Sequence, residues 1–116
     1  MLVADDNRDG ADIMALLLQQ YGYEVSVAHS GPEALAAAAQ SKPEIAILDI
    51  GMPGMSGYAV AQRIRAESWG KNMLLIALTG WGQEEDKRKA FEAGFDHHLI
   101  KPIDPDALEA LMASTK

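Results

Sequence analysis

The strongest constraint on this chain is a repeated pattern: short apolar runs, each ending at a polar residue or loop signal, alternate with stretches of helical periodicity. Residues 1–4 stop at Asp5-Asp6, residues 45–48 at Asp49, residues 73–78 at Thr79-Gly80, and residues 97–100 at Lys101-Pro102. Unbroken apolar runs of this length fit strands buried on both faces of a parallel sheet. Val25 and Val27 alternate with Glu24 and Ser26, the half-buried pattern of an edge strand. Between the runs lie helices. Residues 9–21 carry Ile13, Leu17 and Tyr21 on one side, with Gly22 as the stop. Ser30 and Glu33 form a capping box, Pro32 sits in the first turn, and Lys42-Pro43 closes that helix. Val60 and Ile64 mark a helix over 58–67. Acid precedes base in the next, with Glu84/Arg88 and Glu85/Lys89 as i,i+4 pairs and Gly94 as the end. Asp104-Pro105 caps the last, whose stripe is Leu108, Leu111 and Met112. Strands alternating with helices through short connections predict a parallel sheet covered on both faces, with right-handed crossovers.

At 116 residues, 48% hydrophobic and 23% charged, the whole chain, residues 1–116, is expected to be one domain with a genuine core. A net charge of -7 with no basic stripe argues against a nucleic-acid partner. It suits a site that gathers carboxylates around a cation. With no cysteine there is no disulfide framework, thiolate nucleophile or thiolate metal site. No apolar stretch approaches the ~20 residues of a membrane span, and no signal-peptide pattern precedes the first strand, so the expected location is cytoplasmic. Beginning almost inside a strand favours a domain excised from a longer protein.

Right-handed βα units point every strand the same way, so strand-end residues meet at one rim. That rim collects Asp5, Asp6, Asp49, Thr79 and Lys101. Gly51, Pro53, Gly54 and Gly57 make a loop after Asp49. One Asp there would be read as a loop cap; the other strand-end residues argue otherwise. Three carboxylates in one pocket either hold protons or bind a cation. Oxygen ligands without cysteine suit Mg²⁺. A lysine offers positive charge to a phosphoryl oxygen, and a threonine hydroxyl offers a hydrogen bond. Together these parts suit phosphoryl transfer to an aspartate.

The same residues carry a resemblance. Asp-Asp after the first strand, Asp-x-x-Met-Pro-x-Met-x-Gly from Asp49 to Gly57, Thr79-Gly80 and Lys101-Pro102 are jointly a strong match. Over essentially its whole length the chain resembles the receiver domain of bacterial two-component response regulators. The resemblance implies a flavodoxin-like (βα)5 doubly wound α/β sheet of order 2-1-3-4-5. It makes Asp49 the phosphoacceptor and Asp6 a direct Mg²⁺ ligand. Asp5 would act mostly through water, and the Gly51 carbonyl would be a further ligand. Thr79 would be the switch hydroxyl, Lys101 the phosphate-sensing group, and Lys101-Pro102 a cis peptide. The implied partners are a histidine kinase or histidine phosphotransfer domain, and a downstream protein or neighbouring domain of the parent chain. Such a module assists its own phosphorylation and dephosphorylation without being an enzyme in its own right.

This chain departs from the family pattern at Ser56, where Asp is usual, at Gly80, where alanine is commoner, and at His98, where Tyr or Phe is usual. His98 is read as an edge-strand residue, and His29 and His97 as structural. The forms around Thr79 and Lys101 resemble receivers attached to hybrid sensor histidine kinases. Two rival readings fit the residues less well. An Asp-nucleophile phosphatase of the haloacid-dehalogenase type needs a second Asp two residues on, where this chain has Gly51. A receiver fold that only binds would not need the complete set of acidic, Thr and Lys positions. No output domain is expected from the residues after Met112. The helix at 9–21 has more apolar surface than one core stripe needs, covering roughly 200°. With Ile13, Leu17 and Tyr21 facing the core, Met14 and Leu18, or Leu16, are expected to be partly exposed and to dock a phosphohistidine-bearing helical bundle.

Overall fold

The computed structural model describes residues 1–80, 84–100 and 105–114, leaving aside the side chains of 84–86, 105 and 111–114. Leu2–Ala4 (β1), Ser26–Ala28 (β2), Ile45–Asp49 (β3), Leu74–Thr79 (β4) and His97–Ile100 (β5) form one sheet. Its order is β2-β1-β3-β4-β5, the flavodoxin-like order expected, and each pairing is parallel. Between the strands run Arg8–Gln20 (α1), Gly31–Ser41 (α2), Gly57–Ala66 (α3) and Glu84–Ala93 (α4), with Pro105–Ser114 (α5) last. A short 3₁₀ turn, Ser68–Gly70, leads into β4.

Strand alternation divides the core in two. Leu2, Ala4, Ala46, Leu48, Leu75 and Ala77 face α2, α3 and α4, meeting Ala34, Ala38, Val60, Ala61, Ile64 and Ala90. Val3, Ile47, Ile76 and Leu78 face the other way, toward Ala11, Met14 and Leu18 of α1 and Leu108 of α5. The central strands are buried on both faces, as unbroken apolar runs require. At the β2 edge Glu24 and Ser26 are exposed while Val25 and Val27 are half-buried, so the alternation read from the sequence holds.

The helix starts follow side-chain capping. Ser30 Oγ accepts from the Glu33 amide, and Glu33 reaches back to the His29 amide, one residue before the cap. Ser56 caps α3 by accepting from the Ala59 amide, so serine does at this departure from the family pattern what aspartate can do. Asn7, which the sequence reading passed over, caps α1 through the Gly10 amide. Lys42, in the left-handed region at φ 47°, ends α2. At the end of the sheet away from the strand carboxyl termini, Arg65 of α3 donates to the carbonyls of Gly94, Gly70, Lys71 and Met73 and pairs with Asp96 at 2.8 Å. Asp96 also accepts from the Leu75 amide, so one guanidinium ties α3, the chain before β4 and the turn before β5 together.

The phase of α1 is a correction. Met14 and Leu18 are buried at 8% and 0% exposure and Ile13 is exposed at 67%, contrary to expectation, while Leu16, the other alternative for the exposed flank, is exposed at 61%. Leu17 is half-buried and Tyr21 exposed. The inward stripe is Ala11, Met14, Ala15 and Leu18, an i, i+3, i+4, i+7 set whose two alanines let the helix lie close to the sheet. A face chosen by its bulkiest residues therefore lies about a third of a turn from the one the fold buries. The expected cis peptide, the Asp104 cap, the Leu111 and Met112 packing and the pairs made by Glu84 and Glu85 lie outside the described residues. Among the described residues no helix is long and apolar enough to cross a membrane.

Candidate functional site

β1 and β3 are neighbours with Ala4 opposite Leu48, so Asp5 and Asp49 leave the sheet side by side at its carboxyl edge. Both are buried, at 6% and 5% exposure, as is Thr79 at the end of β4. Asp6 is exposed. One carboxylate oxygen from each of Asp5, Asp6 and Asp49 lies within 4.8 Å of the other two. The sequence reading placed these three acids together, and the fold does so.

Backbone amides aim the two buried acids. Asp5 Oδ1 accepts from the Asn7 amide at 3.0 Å, and Asp49 Oδ1 accepts from the Gly51 amide at 3.1 Å. The β3–α3 loop folds back tightly, the Gly57 amide donating to the Ile50 carbonyl. A Cβ on Gly57 would stand 2.7 Å from the Asp49 carbonyl oxygen, so only glycine fits there. Gly54, at φ +81°, supplies the left-handed turn within the loop. Among the described residues, a Cβ at Gly51 would meet only Asp49 Oδ1, at 3.6 Å.

Thr79 is one residue beyond Leu78, which pairs with Asp49, so its side chain belongs to the same rim. Lys101, the fifth predicted member, follows Ile100, the partner of Thr79, and lies outside the described residues. His98 pairs with Ala77 and is half-buried on the sheet face that α2, α3 and α4 cover. Two contacts escaped the sequence reading. Asn7 carried a legible signal, a capping residue type just before a helix. His29, whose Nδ1 lies 3.3 Å from the Asp5 carbonyl oxygen, carried none.

A three-carboxylate donor set without cysteine fits a hard divalent cation such as Mg²⁺, because oxygen ligands and concentrated negative charge are what such an ion selects. A broad open groove of about 1030 Å³ lies at the opposite end of the sheet, walled by Tyr23, Glu44, Arg65 and Trp69 among others. It contains none of the predicted site residues, and size alone does not draw the chemistry there.

Residues 1–113 match the model of the response regulator receiver domain family, and the chain belongs to that family. It is 33% identical over 110 residues to the DNA-binding dual master transcriptional regulator RpaA of Synechocystis, covering 95% of this chain but only 46% of that protein. Chemotaxis protein CheY4 of Vibrio cholerae superposes with a TM-score of 0.94 at 30% identity, covering 99% and 96% of the two chains. The receiver domain of the sensor histidine kinase PA1611 of Pseudomonas aeruginosa, solved with a magnesium ion coordinated in its active-site cleft, gives 0.89 at 26% identity, covering 97% and 93%.

Proposed function

We propose that this receiver domain takes a phosphoryl group onto Asp49 from a phosphohistidine and so changes the surface it shows to a partner. The observation that carries the reading is the meeting of the Asp49 carboxylate, at the end of β3, with those of Asp5 and Asp6 from the neighbouring strand. In the transfer an Asp49 oxygen attacks phosphorus, the P–N bond to the donor imidazole breaks, and that imidazole is released. Asp6 and Asp49 would hold Mg²⁺ directly, Asp5 mostly through water, with the Gly51 carbonyl as a further ligand. The ion, when bound, offsets carboxylate charge that would otherwise repel an incoming phosphoryl dianion. The Gly51 amide already holds Asp49 Oδ1 in place, which limits how the carboxylate can turn. Thr79 supplies a hydroxyl and Lys101 a positive charge to the transferred oxygens, and both report the modification to the rest of the fold.

The donor is a histidine kinase or histidine phosphotransfer domain in the cytoplasm. The exposed Ile13 and Leu16 of α1, a helix that starts just beyond Asp5 and Asp6, form the docking surface. Since the chain spans 46% of a regulator such as RpaA, the output of the whole protein stays with whatever adjoins or meets this domain. The direct test is intact-mass measurement after incubation with acetyl phosphate. One added phosphoryl group is expected with Mg²⁺ and none with EDTA or in Asp49→Ala. Equal labelling under all three conditions would sink the assignment.

A further inference from the structure

We infer that His29 is a positioning residue for cation binding, acting through the peptide that joins Asp5 to Asp6. This rests on the metal reading above. A carbonyl oxygen can only accept, so the 3.3 Å approach of His29 Nδ1 to the Asp5 carbonyl requires the proton on Nδ1. His29 is itself held, because its amide donates to Glu33 Oε2, and Glu33 belongs to the capping box of α2.

The consequence falls on Asp6. Asp5 is pinned on both sides: its amide donates to the Ala28 carbonyl, and its Oδ1 accepts from the Asn7 amide. The exposed Asp6 side chain has no hydrogen bond among the described residues, so the placement of its Cα–Cβ bond, from which the carboxylate reaches the cluster, rests on the two peptides that flank it. The Asn7 amide, bonded to Asp5, fixes one of them. The Asp5 carbonyl, bonded to His29, fixes the other. His29 is not itself a member of the ligand cluster, which comprises Asp5, Asp6 and Asp49. It therefore acts as an outer group that orients a ligand, as hydrogen-bond partners of metal ligands commonly do. The ring spans from the end of β2 to the β1–α1 loop, and so links the capping box of α2 to the acidic loop.

The test is Mg²⁺ titration by calorimetry, with no phosphodonor present. His29→Phe keeps a ring of similar size and removes the donor, and should weaken Mg²⁺ binding about five- to tenfold. His29→Asn places an amide nitrogen where Nδ1 stands and should restore affinity to within about twofold of wild type. A lower metal-free melting temperature in His29→Phe with unchanged Mg²⁺ affinity would mean a purely structural role and overturn the inference. If His29→Phe does not fold, the ¹⁵N shifts of the His29 ring in the wild-type protein decide. A protonated Nδ1 in the neutral ring supports the contact, and the opposite tautomer overturns it. Absence of Mg²⁺ binding in the wild type would overturn the metal reading itself, a result distinct from retained binding in His29→Phe.

Discussion

Asp6 shows how differently the three acids of one cluster are held. Asp5 and Asp49 are buried and aimed by the amides of Asn7 and Gly51, while Asp6 is exposed and controlled by its flanking peptides. Without a cation the three like charges oppose one another, so removing one should stabilise the metal-free fold. Asp6→Asn is therefore expected to raise the melting temperature in EDTA by about 2–5 °C and to abolish the rise that millimolar Mg²⁺ gives the wild type, measured by calorimetric melts. No change in either quantity would mean that the acids do not share one field. At this scale the sequence was readable where chemistry and position coincide: one strand-end carboxylate can be a loop cap, but acids, a threonine and a lysine at several strand ends read together as one site. It was silent where two loops touch. The contact between His29 and the Asp5 carbonyl depends on how the ends of β1 and β2 are staggered, which no local pattern encodes.

Among the elements, α1 carries the clearest lesson. The existence of the helix and its end near Gly22 follow from periodicity and punctuation, but its orientation does not. Apolar side chains cover so much of its circumference that two phases satisfy the pattern. The one realised buries Ala11 and Ala15 beside Met14 and Leu18, and alanines contribute little to any estimate weighted by size. What remains outside is Ile13 and Leu16, with Asp9 and Asp12 exposed on the turns toward the acidic site. Ile13→Glu and Leu16→Glu should thus fold normally, label with acetyl phosphate close to the wild-type rate, and lose at least about tenfold in transfer rate from the cognate phosphohistidine protein. Met14→Glu should instead lower stability by about 2–4 kcal/mol, since it buries a carboxylate against the sheet. Denaturant melts and transfer assays on the three variants separate these outcomes. Unimpaired transfer by Ile13→Glu and Leu16→Glu would move the docking surface elsewhere.

For the molecule as a whole, alternation of strand and helix was enough to predict a parallel sheet with all strand-end groups on one rim. It was not enough to order the strands, because several orders satisfy the same alternation and crossover hand. The order 2-1-3-4-5 came from the resemblance, and the pairings of β1 with both β2 and β3 bear it out. That order makes the site, since it sets β1 against β3 and so brings Asp5 and Asp6 to Asp49. The two ends of the sheet then divide the work. One end is fastened by Arg65, whose guanidinium bonds span α3, the chain before β4 and the turn before β5. The other gathers charge that the fold tolerates at some cost in stability and that a cation would offset. The central claim is that Asp49 bears the phosphoryl group. It is tested most directly by labelling with acetyl phosphate and Mg²⁺, reducing the acyl phosphate with borohydride, and sequencing the peptides. The account predicts homoserine at position 49 and unchanged aspartate at positions 5 and 6; homoserine at either of those positions, or none at 49 in protein shown to carry the phosphoryl group, would contradict it.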